Sequence, residues 1–378
     1  MIHTPLRELL LDTLHRTGPM TFERFMALCL YHPEFGYYTR GQERTGAAGD
    51  YFTSCDLHPV FARLVARQAA EMWNVMGRPK PFTWVDMGSG RGFFAADFLS
   101  WSADAMPDFA AALDYVAIEP GALQRQHLEE RVAGAGVANK VRLLASLDEL
   151  EPVAGCFFSN ELVDAFPVNV VTRMGGRLRE IYVNSEGGSL REKPGRISEP
   201  AVAAYVARYA PQLEEGHRVE VNRHALAWMH SVTSKLTRGF ALTIDYGDMA
   251  NRLYTPDRPR GTLLAYRAHA ASEDFFSAPG ETDLTAHVNF AALIDAGKAE
   301  GLDFAGFTTQ EKFLLALGEA NQFADVYDPG QTEVEMLNAR LKLKRLISPE
   351  GMGNIFKVLV QMRGTPGTEL TGLRFERR

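Results

Sequence analysis

Cysteine is scarce in this chain, which has only three in 378 residues: Cys29, Cys55 and Cys156. Three thiols so far apart in sequence exclude a disulfide framework and a zinc cluster, and we expect no metal. No apolar run approaches the roughly 20 residues that a membrane span needs. No secretory signal pattern follows Met1, so the sequence predicts a cytoplasmic protein.

The chain has no excess of positive charge to offer a nucleic acid. Lys and Arg number 40 and Asp and Glu number 47, which gives a formal net charge of -7. A negative field repels phosphate backbones, so nucleic acid is disfavoured as a partner. The basic residues between Arg340 and Arg345 have helical spacing, which is typical of a solvated helix face. The length and the hydrophobic fraction of 46% are enough for a full core and two lobes.

Three common enzyme motifs are missing. The Gly-Lys pair at 297–298 is followed by Ala299, which breaks the P-loop pattern. No G-x-S-x-G elbow is present, which disfavours a serine hydrolase. A nicotinamide oxidoreductase would need glycine at position 93, where the chain has Phe93.

The segment 83–94 predicts a buried strand, a tight turn and the start of a helix. Glycine without a Cβ allows positive φ and lets a ligand lie against bare amides at the helix start. The G-x-G-x-G spacing differs from the dinucleotide pattern and favours S-adenosylmethionine, although a glycine-rich structural turn is the alternative. The predicted cofactor contacts here are Asp86, Gly88, Ser89, Gly90 and Gly92.

Short apolar strands alternate with helices after residue 57, which predicts an α/β fold with a parallel sheet covered on both faces. Four strand-helix repeats, a fifth strand and a late pair indicate a seven-stranded, Rossmann-like sheet. Two runs, 168–172 and 178–183, resemble a hairpin within an insertion. The predicted boundaries are 1–56 for an N-terminal helical cap and cofactor-covering loop, and 57–166, 222–247 and 290–362 for the core. Two insertions, 167–221 and a loop-rich 248–289, are predicted to form a substrate lobe, and 363–378 a flexible tail.

Six motifs, in order along residues 21–361, resemble those of the MidA-like methyltransferases. The resemblance implies a class I S-adenosylmethionine-dependent methyltransferase that modifies an arginine of a protein client, namely a subunit of the respiratory complex I type. A methyltransferase-shaped assembly factor that holds its client without catalysis is the alternative. The motifs are Gly-Asp-Tyr-Phe-Thr-Ser (49–54), Gly-Ser-Gly-Arg-Gly (88–92), Ser-Asn-Glu-Leu-Val-Asp-Ala-Phe-Pro (159–167), Ile-Asp-Tyr-Gly (244–247), Gly-Thr-Leu-Leu-Ala-Tyr (261–266) and Asp-Leu-Thr-Ala-His-Val (283–288).

Further cofactor contacts are predicted outside the glycine turn. Glu119 ends the second strand, where its carboxylate can accept both ribose hydroxyls; a solvated acid at a strand end is the alternative. The resemblance implies that residues 49–54 cover the cofactor, whereas a plain surface loop is the alternative. The contacts predicted from this loop are Gly49, Asp50, Thr53 and Ser54.

Candidate catalytic residues follow the fourth strand. An arginine acceptor has a pKa above about 12, so attack requires carboxylates that localise its charge and accept its proton. Glu161 is the first candidate, Asp164 the second, and Asn160 can fix the acceptor nitrogen. Helix capping by Asn160, with Asp164 in the first turn, is the alternative.

Two more catalytic candidates depend on the resemblance. Asp245 ends the fifth strand and His287 closes the second insertion. By residue type alone, a strand-end acid is typical of a turn and a lone histidine of a structural residue.

Overall fold

The computed structural model describes residues 4–40, 53–349 and 351–376. The predicted cofactor contacts Gly49 and Asp50 lie outside these residues. The α-helices are α1 (Pro5–Thr17), α2 (Phe22–Tyr31), α3 (Ser54–Leu57), α4 (Val60–Val75), α5 (Phe93–Ala105), α6 (Pro107–Ala112), α7 (Ala122–Gly134), α8 (Pro200–Tyr209), α9 (Arg223–Lys235), α10 (Ala250–Leu253), α11 (Phe290–Ala299), α12 (Gln310–Glu319) and α13 (Glu333–Ile347). The strands are β1 (Met20–Thr21), β2 (Phe82–Met87), β3 (Leu113–Ile118), β4 (Val141–Leu144), β5 (Val153–Asn160), β6 (Asn169–Met174), β7 (Arg177–Glu186), β8 (Ser189–Gly195), β9 (Arg218–Val221), β10 (Leu236–Asp248), β11 (Leu264–Arg267), β12 (Ala270–Ser272), β13 (Asp283–Thr285), β14 (Val288–Asn289), β15 (Asp303–Thr309) and β16 (Phe356–Arg363).

Two compact units make up the chain, each with its own apolar core. The first unit comprises Met1–Tyr51, Val163–Trp228 and Gly247–Leu293, and the second comprises Phe52–Leu162, Met229–Tyr246 and Ile294–Arg378. None of the helices within the described ranges combines the length and the hydrophobicity that a bilayer span requires.

A mixed sheet forms the centre of the second unit. Seven of its strands lie in the order β4-β3-β2-β5-β10-β16-β15, and the two-residue strand β14 pairs with the end of β10 as an eighth, one more than the predicted seven. The first five of these strands run parallel, whereas β16 is antiparallel to both of its neighbours. From β2 the chain proceeds outward to β3 and β4, and it then crosses back to β5 on the other side of β2. The carboxyl ends of β2 and β5 therefore flank a topological switch point, which is where open α/β sheets bind ligands.

Buried aromatic side chains pack on one face of this sheet. The ring centroid of Trp84 on β2 lies 5.0 Å from that of Phe98 on α5 and 5.2 Å from that of Phe158 on β5. All three side chains are fully buried. Because alternate residues of a strand point to opposite faces, Asp86 lies on the same face as Trp84, at the carboxyl end of β2.

Antiparallel strands build the first unit together with α1 and α2. The predicted hairpin is confirmed as β6 and β7, which pair antiparallel. A second sheet, β12-β11-β13, lies within the insertion that was expected to be loop-rich. These strands have three or four residues each, which is too short to show the alternation that identifies a strand in sequence.

The N-terminal helix α1 begins and ends where its flanking residues dictate. The Thr4 hydroxyl accepts a hydrogen bond from the N–H of Arg7, and Pro5 occupies the first turn. Gly18 follows the helix with a φ of 80°. Leu6, Leu10 and Leu14 share one face and are buried in the core of the first unit.

The prediction of a flexible tail at 363–378 is wrong for residues 370–376. Leu370 and Leu373 are buried in the core of the second unit, and Thr371–Glu376 form a 3-10 helix. The Glu71 carboxylate on α4 accepts hydrogen bonds from the N–H and the hydroxyl of Thr371. The Gly, Thr and Pro content of this segment predicted a frayed terminus. The two leucines are nevertheless buried, because they pack against helices that are distant in sequence.

Candidate functional site

The glycine turn after β2 has the backbone that its sequence predicts. Gly88, Gly90 and Gly92 have φ values of 75°, 52° and 75°. A Cβ would lie 2.9 Å from the Leu162 side chain if added at Gly88, and 2.8 Å from the Leu128 side chain if added at Gly92. At Gly90 a Cβ would meet nothing within 4 Å. Two glycines therefore permit close packing, while Gly90 presents bare backbone to open space just before α5.

Glu119 lies against this turn, directly after β3. Its Oε2 accepts a hydrogen bond of 2.9 Å from the N–H of Gly90, and its Oε1 accepts one of 2.8 Å from the N–H of Gly121. Burial raises the pKa of this carboxyl, while the two N–H donors and Arg125 lower it. The structure thus brings the predicted ribose-binding acid and the predicted cofactor turn together.

Asp86 is buried at the end of β2 and has a partner that the sequence did not reveal. Its Oδ2 accepts a 2.7 Å hydrogen bond from the Tyr115 hydroxyl on β3. Burial raises the pKa of Asp86 to about 6, although the bond from Tyr115 opposes the shift. The Ser89 hydroxyl donates to the backbone oxygen of Asp86 at 2.8 Å and closes the turn.

The raised pKa predicts a pH-dependent effect of Asp86→Asn. The pKa of Asp86 is about 6 in the folded chain and 3.8 ordinarily, so ionisation costs folding free energy as the pH rises through this window. Asparagine does not ionise, so it avoids that cost, and its side-chain oxygen can still accept the hydrogen bond from the Tyr115 hydroxyl. Relative to wild type, we expect the variant to gain on the order of 2 kcal/mol of stability between about pH 4 and about pH 8.

Chemical denaturation of both proteins across this pH range measures the difference. Asp104→Asn, at an exposed position of α5, is the control and should show no such trend. A difference between wild type and Asp86→Asn that stays constant with pH would contradict the prediction.

Asn160 is the last residue of β5 and Glu161 follows it, on the other side of the switch point. The N–H of Ser54 and the Nδ2 of Asn160 donate to Oε1 of Glu161 at 2.9 Å and 3.0 Å. Glu161 has a φ of 53°, a backbone conformation that residues other than glycine rarely adopt. The Oδ1 of Asn160 is buried and has no hydrogen-bond partner in the part of the chain that the structure describes. Strain and an unsatisfied acceptor are typical of a functional site.

Asp245 supports the turn that carries Glu161. It is fully buried within β10, which continues to Asp248, so the prediction that Asp245 ends the strand is wrong by three residues. Its Oδ2 accepts from the N–H of Leu162 at 3.2 Å, and its Oδ1 accepts from the N–H of Tyr246 at 2.8 Å. The bond from Leu162 ties β10 to the turn that follows β5.

The remaining predicted catalytic residues, Asp164 and His287, belong to the first unit. The backbone oxygen of Asp164 accepts from the N–H of Ala286, and the N–H of His287 donates to the Thr262 hydroxyl, both at 3.0 Å. Residues 161–168 form turns and irregular structure. Helix capping by Asn160, the structural alternative, is therefore wrong.

Sequence reasoning missed two polar residues beside these groups. Gln310 on α12 is fully buried and accepts from the Ser54 hydroxyl at 3.3 Å, and Tyr115 donates to Asp86. Gln310 lies in an ordinary helical pattern and Tyr115 in an ordinary strand pattern, so neither residue is marked as functional by its sequence context. Only the strand pairing, in which Tyr115 lies opposite Trp84, could have suggested the second contact.

Comparisons with known proteins agree on one kind of activity. A sequence model of S-adenosyl-L-methionine-dependent methyltransferases matches residues 64–308. Protein arginine methyltransferase NDUFAF7 of Homo sapiens is 25% identical over 397 residues, which cover 99% of this chain and 86% of that protein. The Drosophila melanogaster homologue is 25% identical over 401 residues, which cover 97% and 87%.

A solved structure is similar over the whole chain. It is a Burkholderia thailandensis protein bound to S-adenosyl-homocysteine, with a TM-score of 0.89, 30% identity, and coverage of 100% of this chain and 98% of that one. The human and fly relatives are mitochondrial by name. That finding overturns the expectation of a cytoplasmic protein.

Proposed function

Because the chain belongs to the S-adenosyl-L-methionine-dependent methyltransferases, we propose that it methylates an arginine side chain of a protein client. Its cofactor is S-adenosylmethionine, and the resemblance to MidA-like methyltransferases is confirmed. The arginine acceptor is supported by the names of the human and fly relatives. The observation that carries the proposal is the strained Glu161 after β5, across the switch point from the glycine turn.

The residues after β2 and β3 fit the cofactor. Open space at Gly90 and the adjacent start of α5 suit the carboxylate of the methionine moiety. Glu119, which sits at this turn, can accept hydrogen bonds from the two ribose hydroxyls. We also assign Asp86, Gly88, Ser89 and Gly92 to this cofactor site, which we call the cofactor seat. Four further contacts, Gly49, Asp50, Thr53 and Ser54, are assigned to a segment that covers the cofactor.

When bound, S-adenosylmethionine supplies a methyl group activated by a sulfonium. A guanidinium nitrogen that accepted this methyl group would have to lose a proton, which the chain's own residues must take up. Glu161 pairs with the guanidinium and takes that proton on its carboxylate. The unsatisfied Oδ1 of Asn160 accepts an N–H of the acceptor and orients it.

The other assignments complete the proposal. Asp245 holds the Glu161 turn in place by accepting a hydrogen bond from the N–H of Leu162. We assign Asp164, three residues after Glu161, as the second carboxylate, and we assign His287 as a further catalytic residue because the family resemblance implies it. We assign substrate binding to the N-terminal cap and the two insertions, and we assign the seven-strand path of the sheet to the class I type. We name a respiratory complex subunit as the client.

Labelled S-adenosylmethionine tests the proposal directly. We expect the purified protein, incubated with the labelled donor and a cell lysate, to label a protein on arginine, as identified by mass spectrometry. Label on lysine or on a small molecule would overturn the arginine assignment. Cofactor binding without transfer to any acceptor would instead support an assembly factor that does not catalyse.

A further inference from the structure

Gln310 is the first residue of helix α12 and has no exposed surface. Burial of an amide costs free energy unless both of its polar ends find hydrogen-bond partners. The Nε2 of Gln310 donates to the backbone oxygen of Leu346 at 3.1 Å, and its Oε1 accepts from the Ser54 hydroxyl at 3.3 Å. All three residues belong to the second unit. Gln310 therefore joins α12 to the end of α13 and to the start of α3.

The carbonyl of Leu346 fixes the orientation of this amide. It belongs to the last turn of α13, where backbone oxygens have no partner within the helix. A carbonyl oxygen accepts and cannot donate, so it must face the Nε2 of Gln310, and this leaves Oε1 towards Ser54. The fully buried Ser54 hydroxyl has a single proton, and it donates that proton to Gln310.

The strand directions explain why Gln310 lies near Glu161. Since β16 is antiparallel to both β10 and β15, β15 runs in the same direction as β10 and β5. Gln310 directly follows β15 and Glu161 directly follows β5, so both lie at the same edge of the sheet. With about 4.8 Å between neighbouring strands, β10 and β16 separate β15 from β5 by about 14 Å. Ser54 bridges this distance, because it bonds to both residues.

The backbone of Ser54 connects Gln310 to Glu161. The N–H of Ser54 donates to Oε1 of Glu161 at 2.9 Å, and the Nδ2 of Asn160 donates to the same oxygen at 3.0 Å. Two donors on one oxygen hold the carboxylate in one orientation. The N–H of Ser54 keeps its place because the Ser54 side chain is held by Gln310.

We propose that Gln310 is a positioning residue for methyl transfer, which holds Ser54 and thereby keeps the Glu161 carboxylate aligned with the acceptor. The inference rests on the proposed function, in which Glu161 takes the acceptor proton. Gln310 acts through Ser54, since both ends of its own amide are bonded within the chain. Misplacing a catalytic group by about 1 Å can cost about 100-fold in rate, so loss of this support should slow transfer.

Gln310→Met keeps the approximate length of the side chain and removes both hydrogen bonds. At saturating labelled S-adenosylmethionine, we expect this variant to label lysate protein at least about tenfold more slowly than wild type, with a dissociation constant for the cofactor within about twofold. Gln68→Met is the matched control. Gln68 is equally buried and makes two hydrogen bonds in the second unit, to Glu71 and from the N–H of Gly372. Gln68→Met loses comparable contacts but should transfer at the wild-type rate.

The same change in the Glu161→Gln background separates positioning from a general loss of structure. If Gln310 acts through the carboxylate, Gln310→Met should slow Glu161→Gln by less than about twofold, because the group that it positions is already gone. Ser54→Ala deletes the same side-chain bond with a smaller change in the core, and it should slow transfer as Gln310→Met does. Wild-type transfer by Ser54→Ala, or equal slowing by Gln310→Met in both backgrounds, would overturn the proposal.

Hydrogen exchange at the amide of Ser54 tests the contact independently of transfer. With 15N-labelled serine, the Ser54 resonance is identified by its loss in Ser54→Ala. Its N–H should exchange with solvent at least about tenfold faster in Gln310→Met than in wild type, and at the wild-type rate in Gln68→Met. Unchanged exchange in Gln310→Met would contradict the inference. Faster exchange, in a protein that methylates nothing, would confirm that Gln310 holds Ser54 and would instead overturn the proposed methyl transfer.

Discussion

Replacing Glu119 with alanine is expected to weaken S-adenosylmethionine binding by about 100-fold. Two charge-assisted hydrogen bonds to the ribose are lost, and each is worth about 1.5 kcal/mol. The N–H groups of Gly90 and Gly121 also lose the acceptors that hold the turn. Isothermal titration calorimetry of the wild type and the variant measures the change.

A cofactor analogue without the two ribose hydroxyls separates these causes. If Glu119 acts through the ribose, wild type and Glu119→Ala should bind the analogue with similar affinity. Glu129→Ala, at an exposed position of α7, is the matched control and should bind the cofactor as wild type does. Wild-type affinity of Glu119→Ala for S-adenosylmethionine would remove Glu119 from the cofactor site.

Glu161→Gln is expected to leave cofactor binding within about twofold of wild type and to slow methyl transfer about 1,000-fold. Glutamine keeps the size of the side chain, and its oxygen can still accept from the N–H of Ser54 and from Asn160. It has no carboxylate to pair with a guanidinium or to take up its proton. Calorimetry gives the binding constant, and incorporation of labelled methyl into lysate protein gives the rate.

The matched control for this variant is Glu151→Gln, which neutralises an exposed acid just before β5. It should methylate at the wild-type rate. Transfer by Glu161→Gln at that same rate would show that another group accepts the proton. Loss of cofactor binding in Glu161→Gln would show that the turn after β5 supports the cofactor seat rather than the acceptor.

Much of the cofactor seat could be predicted because its signals are local. Glycines at every second position after an apolar strand specify a backbone that only glycine adopts easily, and Gly88, Gly90 and Gly92 all have positive φ. Glu119 was found because an acid at the end of the next strand must lie at the same sheet edge. These inferences need only strand order and the direction of the strands.

Contacts between distant segments could not be predicted in this way. Ser54 reaches Glu161, Thr371 reaches Glu71, and Tyr115 reaches Asp86, yet none of these pairs shares a local pattern. The strands β11, β12 and β13 were likewise too short for their alternation to be detected in the sequence.

The sequence by itself determined the glycine turn, the acid beside it and the alternation of strands and helices, because backbone conformation and period depend on neighbouring residues. Only the tertiary structure decided which side chains became partners. It buried Asp86, and this burial raises the pKa of Asp86 although the hydrogen bond from Tyr115 opposes the shift. It also placed Glu161 in a strained turn supported by Asp245. Which polar side chains meet across segments far apart in the chain depends on how the elements pack, and the identity of such a partner leaves no periodic trace in the sequence.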